Sequence, residues 1–248
     1  MPQFLINSKD VTDNRIVISD KDNYTHIAKS LRTKVGEKLL LIDENQIQYE
    51  TFVDSITNSD ITVKVDKKYK SERYLNFKLY LAQVPLRSDA QSFVIEKATE
   101  LGVDGVYPIM SDNCTLNSDV IEKKIPKWQK IMYEAFKQCE RSYIPQCYEL
   151  SRLEDIIKKN GEYRVIAFCE RCTDLSLHTY FEKSPIKAGD NIIVIIGPEG
   201  GFSQREFNLL KENSIPMLTL GKLILKAETA VIAALGNIIY EFENYRKN

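Results

Sequence analysis

Hydrophobic and polar positions follow two different patterns along this chain. Up to about residue 70 the apolar residues come in short β-rich bursts: Arg15–Ser19, Lys38–Asp43, Gln48–Ile56 and Asp60–Val65. Asn, Asp, Ser and Gly separate them, and such spacing predicts a small β-barrel, with one helical piece over Asn23–Leu31. The charged stretch Asp66–Arg73 reads as a linker. Beyond it strands alternate with helices: strand Phe77–Val84, helix Ser88–Leu101, strand Gly105–Ile109, helix Ile121–Arg141 and strand Arg164–Phe168. Two strands that end in loops follow, then a last helix over Ala230–Phe242. That alternation predicts an α/β domain with a mainly parallel sheet and helices on both faces. The expected division is therefore 1–70 and 73–248, with no internal repeat.

One segment concentrates the chemistry. Ile192–Ile196 is an unbroken run of β-branched residues, as a strand buried on both faces requires. It empties into Gly197, Pro198, Glu199, Gly200 and Gly201, and Ser203 with Glu206 then has capping-box spacing for a helix start. Glycines without Cβ let backbone approach a ligand closely, and the end of a sheet strand is where α/β folds place one. A glycine turn between strand and helix also occurs with no ligand, and here neither GxGxxG nor a P-loop lysine is present. Pro216–Ala230, PMLTLGKLILKAETA, repeats the theme: short apolar strand, Leu-Gly turn, apolar hook, helix start.

Taken together, GPEGG followed by S-x-x-E, and LG-x-x-IL-x-x-ETA, resemble the ribosomal RNA small subunit methyltransferase E family. The resemblance extends to His26–Arg32 (HIAKSLR), Glu96–Val103 (EKATELGV), Trp128–Arg141 (WQKIMYEAFKQCER) and Pro145. It implies a PUA-like β-barrel that positions RNA, followed by a SPOUT-class, trefoil-knotted methyltransferase domain. The implied cofactor is S-adenosylmethionine, and the implied reaction is methylation of N3 of a uridine in small-subunit (16S) ribosomal RNA. The implied partners are that RNA or the assembled small subunit, and a second copy of the chain in a homodimer.

Residue by residue, the resemblance places Gly197, Glu199, Gly200, Gly201, Leu220, Gly221, Ile224 and Leu225 at the cofactor. Glu199 and Glu228 match too, and each has a structural reading, as a helix cap or loop closure, beside a functional one. Arg32, Arg141, Arg171, Lys226 and Glu228 are the catalytic candidates, the cations to grip phosphate or polarise the base. Four positions depart from the family. Leu223 stands where an arginine is common, Asn113 replaces an arginine before Cys114, Glu140 replaces a glycine, and Lys226 replaces an arginine. These departures leave open a non-catalytic RNA-binding or ribosome-assembly protein, or a methyltransferase retargeted to another RNA site.

Charge adds a constraint. With 34 Lys and Arg against 35 Asp and Glu the net charge is −1, so nonspecific phosphate affinity is weak and RNA contacts must be local. Lysines do cluster, at Lys64–Arg73 and Lys123–Lys130, although such runs are often only solvated faces. No apolar stretch approaches the roughly 20 residues of a membrane span, and the first residues lack the pattern of a secretory signal, so a cytoplasmic location is expected. The odd cysteine count, 5, suggests reduced thiols. Cys169 and Cys172 form a C-x-x-C without the second pair a structural zinc site wants, so no metal is expected.

Overall fold

In the first half of the chain, buried and exposed positions alternate along strands that build a six-stranded mixed sheet. The computed structural model describes residues 2–169 and 173–245. They group into two units, one reaching Tyr74 and including Phe136–Ile144, the other Leu75–Ala135 with the chain from Pro145 onward. The first unit holds β1 (Gln3–Ile6), β2 (Val11–Thr12), β3 (Arg15–Ile18), β4 (Lys38–Asp43), β5 (Ile47–Ile56) and β6 (Ile61–Lys70). Their order is β1-β4-β5-β6-β3-β2, with β1 parallel to β4 and the other pairs antiparallel. Ile16, Leu39, Leu41, Val53, Ile61 and Val63 line its core. The β5–β6 register shifts at Glu50/Thr51 and Val53/Ser55, and such bulges bend and twist a long ribbon.

Two expectations change here. Asp66–Lys70 is strand rather than linker, because β6 runs on and Lys67–Lys70 pairs with β5. Backbone hydrogen bonds are satisfied by β5 while the charged side chains stay in solvent. The helix expected over Asn23–Leu31 is split into α1 (Lys21–Tyr24), capped by the Asp20 side chain, and a π-type turn over Thr25–Ser30.

The second unit contains β7 (Lys78–Gln83), α2 (Ser88–Glu100), β8 (Gly105–Met110), α3 (Ser118–Cys139) as far as Ala135, β9 (Gln146–Cys147) and β10 (Ser151–Arg152). There follow α4 (Leu153–Ile157), β11 (Arg164–Phe168), α5 (Leu177–Lys183), β12 (Asn191–Ile196), α6 (Gln204–Glu212), β13 (Met217–Leu218) and α7 (Ala227–Tyr245). Every strand pair is parallel, in the order β10-β8-β7-β12-β11-β13, with β9 also on β8. Leu79, Leu81, Ile192 and Val194 face one apolar layer with α2 and α7. Ala82, Ile193 and Ile195 face the other with Ile156 of α4 and Leu210 of α6.

The last helix buries most of its apolar surface inside its own unit. Val231, Ala234, Leu235, Ile238 and Phe242 are all buried in the core. Among the described residues no helix is long and apolar enough to cross a membrane.

Helix α3 ends at Cys139, and Glu140 takes the left-handed conformation, φ +57°. Glycine is the usual residue at such a helix end, whereas any side chain there costs about 1–2 kcal/mol. An ion pair with Arg73 offsets part of this, though exposed pairs contribute only about 0–1 kcal/mol. Glu140→Gly should therefore be more stable than Glu140→Ala by about 1 kcal/mol in urea unfolding. Equal stability of the two variants would refute the strain.

Candidate functional site

Parallel pairing brings the carboxyl ends of the central strands to one edge. Phe168 at the end of β11 pairs with Ile196 of β12 on one side and with Leu218 of β13 on the other. Gly197 and Thr219 thus leave the sheet at the same level, separated by one strand, about 10 Å apart by normal strand spacing. On the far side of β12, Gln83 of β7 pairs with Ile196, so the β7–α2 loop opens at that level as well. The chain runs outward from β7 first to β8 and later to β12, which makes this edge a topological switch point, where α/β sheets bind ligands.

The first loop turns through Gly201, at φ +71°, whose N–H donates to Pro198 O at 2.9 Å. The second turns through Gly221, at φ +126°, pinned to the Thr219 hydroxyl by its N–H at 3.1 Å. A Cβ built on either glycine would meet nothing within 4 Å, so open space lies over both turns. Beyond Gly221 the hook is largely uncovered: Leu223 is 80% exposed and Ile224 58%, while Leu220 and Leu225 are half-buried. Gly197 is glycine for a packing reason, since a Cβ there would press on the Phe202 ring at 3.2 Å.

A polar clamp holds the glycine loop. The expected capping box forms: Ser203 Oγ accepts from Glu206 N, and Glu206 Oε2 accepts from Ser203 N at 2.8 Å. Glu206 is fully buried, and its other oxygen accepts from Asp112 N at 2.9 Å, tying the loop after β8 to the start of α6. The Asp112 carboxylate receives two bonds from Arg205, at 2.8 and 3.0 Å, and one from the Ser203 hydroxyl. Arg205 also donates to Glu154 at the start of α4, at 2.8 Å. Next to Asp112, Asn113 Nδ2 donates to Gly201 O at 3.0 Å. Asn113 thus serves the glycine loop directly. Nothing in the local spacing signals this clamp, because Asp112 and Glu206 meet across 94 residues.

A second polar chain sits at the end of β7. Leu86 N–H donates to Gln91 Oε1 at 2.8 Å, and Gln91 Nε2 donates to Gln83 Oε1 at 3.3 Å. Since a backbone N–H can only donate, it fixes both amide orientations and leaves the buried Gln83 Nε2 without a partner. An unpaired buried donor is costly and calls for an explanation such as a ligand or water.

The catalytic candidates fall in different units. Arg32 and Arg141 lie in the first; Lys226 and Glu228 lie in the second, at the start of α7. Arg32 is exposed with φ +54°. Arg141 is only 5% exposed, and its guanidinium lies 5.4 Å from the Tyr143 ring centroid. Lys226 is exposed and its carbonyl accepts from Ala230 N; Glu228 is half-buried in the first turn, and Glu199 is exposed. Arg171 lies outside the described residues, as does Cys172, so the C-x-x-C is not described. Cys169 is buried, with its N–H on Leu218 O.

Comparison with known proteins places this architecture in a class, the two-domain RNA methyltransferases. Residues 73–239 match the family described as RNA methyltransferase domain, and residues 18–66 the one described as RNA methyltransferase PUA domain. Ribosomal RNA small subunit methyltransferase E of Buchnera aphidicola subsp. Schizaphis graminum is 30% identical over 237 residues, 91% of each chain. That of Mesomycoplasma hyopneumoniae is 30% identical over 246 residues, 96% of this chain and 99% of its own. A crystal structure of the Neisseria gonorrhoeae enzyme bound to S-adenosyl methionine shares the fold, with TM-score 0.81 and 22% identity over 96% of both chains. The chain belongs to the ribosomal RNA small subunit methyltransferase E family.

The clamp has a titration signature. Arg205 and then Ser203 hold the Asp112 carboxyl down at about 2. A depressed acid contributes stability that is present above its unfolded value of about 3.9 and is lost as pH falls toward 2. Carboxyl NMR should find Asp112 ionised at pH 3, and Arg205→Ala should return it toward the ordinary value. An Asp112 that titrates normally in the intact protein would dissolve the clamp.

Proposed function

We propose that this chain transfers the methyl group of S-adenosylmethionine to N3 of a uridine in small-subunit ribosomal RNA. The observation that carries the reading is the pair of glycine turns flanking β11 at one sheet edge, in a member of this family. S-adenosylmethionine, when bound, supplies a methyl already activated on a sulfonium. The residues present suit such a ligand: open space over Gly201 and Gly221, apolar side chains on the second loop, and an unpaired buried donor at Gln83. Gly197, Glu199, Gly200 and Gly201 would hold it from one side, and Leu220, Gly221, Ile224 and Leu225 from the other.

The remaining work falls on the acceptor. N3 of uracil carries a proton on the Watson–Crick edge, so the base must be unpaired and presented singly. Lys226, exposed beside the second loop, is suited to stabilise charge developing on a base carbonyl. Glu228, half-buried one residue into α7, is placed to take a proton or to stabilise the helix start. Arg32, Arg141 and Arg171 are the proposed phosphate contacts, with residues 1–70 positioning the RNA and 73–248 carrying the transfer. A cytoplasmic location follows from that substrate. Leu223, highly exposed where the family has arginine, favours a second reading in which the methylated site on the RNA differs.

Small-subunit RNA should gain one methyl per molecule on incubation with this protein and labelled cofactor, located at uridine N3 by mass spectrometry. Methylation elsewhere would select the second reading, and none at all would select a non-catalytic RNA-binding role. Gly201→Val should fold yet bind S-adenosylmethionine at least about tenfold more weakly, since a β-branched residue resists positive φ. Undiminished affinity in calorimetry would remove the loop from the site.

We also infer a homodimer. Tyr240 on α7 is 65% exposed and Phe93 on the adjoining α2 is 43% exposed, an apolar remainder that a second copy would cover. Light scattering should give twice the chain mass at assay concentration. A monomer with full methylation activity would contradict it.

A further inference from the structure

The outer face of the β4–β5–β6 ribbon carries a groove that the methyl-transfer site does not use. Its volume is about 200 Å³, and Phe52, Tyr69, Lys38, Arg73, Glu50 and Asp66 are among its lining residues. That is smaller than the roughly 300–1,000 Å³ of drug-sized sites, so it suits one flat ring. Phe52 is 36% exposed and Tyr69 42%, so both rings are partly open to solvent. Lys38 Nζ lies 5.4 Å from the Phe52 ring centroid, and the Tyr69 hydroxyl is steered by a bond to Glu50 at 3.3 Å.

Charge around the groove is sorted. Lys64 pairs with Asp54, Lys67 with Glu50 and Arg73 with Glu140. Among the described residues Lys38, which lines the groove, carries no such ion pair, so it is available to phosphate. Exposed aromatic faces flanked by unpaired cations are what single-stranded nucleic acid uses: each base stacks, and the backbone follows the charge. The two carboxylates add a condition. Glu50 and Asp66 can only accept hydrogen bonds, so a base edge turned to them must donate.

We infer that this groove is a subsite for one unpaired nucleotide of the RNA, stacked on Phe52 or Tyr69, with a donating base edge such as an amino group or the uracil N3–H turned to the carboxylates. This rests on the RNA-directed reading above and adds a point of attachment on the first unit. It supplies the local affinity that a chain of net charge −1 needs.

Fluorescence anisotropy of labelled single-stranded A, C and U tracts on the full chain tests it. All three tracts should bind saturably. Phe52→Ala and Tyr69→Ala should each weaken binding by about 5- to 150-fold, while Phe52→Trp retains it and S-adenosylmethionine affinity stays unchanged. If Phe52→Ala unfolds, Tyr69→Ala and Lys38→Glu, at exposed positions, carry the test. Affinities within twofold of the unaltered protein would overturn the subsite. Methylation assayed in parallel separates the two readings. A chain that methylates RNA but ignores these substitutions loses only the groove, whereas variants that lose RNA binding in a chain that never methylates leave only the groove.

Discussion

Burial of β12 on both faces is the constraint from which the site follows. Ile192–Ile196 are at most 3% exposed, and their side chains alternate between two apolar layers. Each such side chain contributes about 1.5–3 kcal/mol relative to an exposed one. A one-residue slip would exchange the faces of every side chain in the strand, so its register is strongly specified. With β12 fixed, β11 and β7 are fixed on either side of it, and so is the level at which Gly197, Thr219 and Val84 leave the sheet. Loop geometry at the site is therefore inherited from core packing.

A rigid strand end does not by itself define a loop, and the polar clamp completes the work. Glu206 closes its own helix start and reaches the backbone of Asp112, while Arg205 joins Asp112 to Glu154. Three segments far apart in sequence are thereby locked around the glycine turn. Asn113 on Gly201 O acts at the turn itself. Its side chain is thus engaged with the glycine turn.

The parallel sheet, the capping box and both glycine turns were legible because each depends on near neighbours: a run of Ile and Val, a spacing of three residues, a glycine at positive φ. The continuation of β6 through Lys67–Lys70 was not, since a solvated strand paired along one edge looks like a charged linker. Nor was the clamp, whose partners lie 94 residues apart. The apolar side of α7 is a further case. Val231, Leu235 and Ile238 supply the core of their own unit, and periodicity cannot distinguish that from an interface.

The central claim is that the turns after β12 and β13 together hold the methyl donor. Backbone amide NMR during titration with S-adenosylmethionine addresses it most directly. Residues 197–201 and 219–225 should shift together along one saturable curve, while β1–β6 remain unchanged. Saturable shifts confined to one of the two turns, or centred on any other edge of the sheet, would contradict the account.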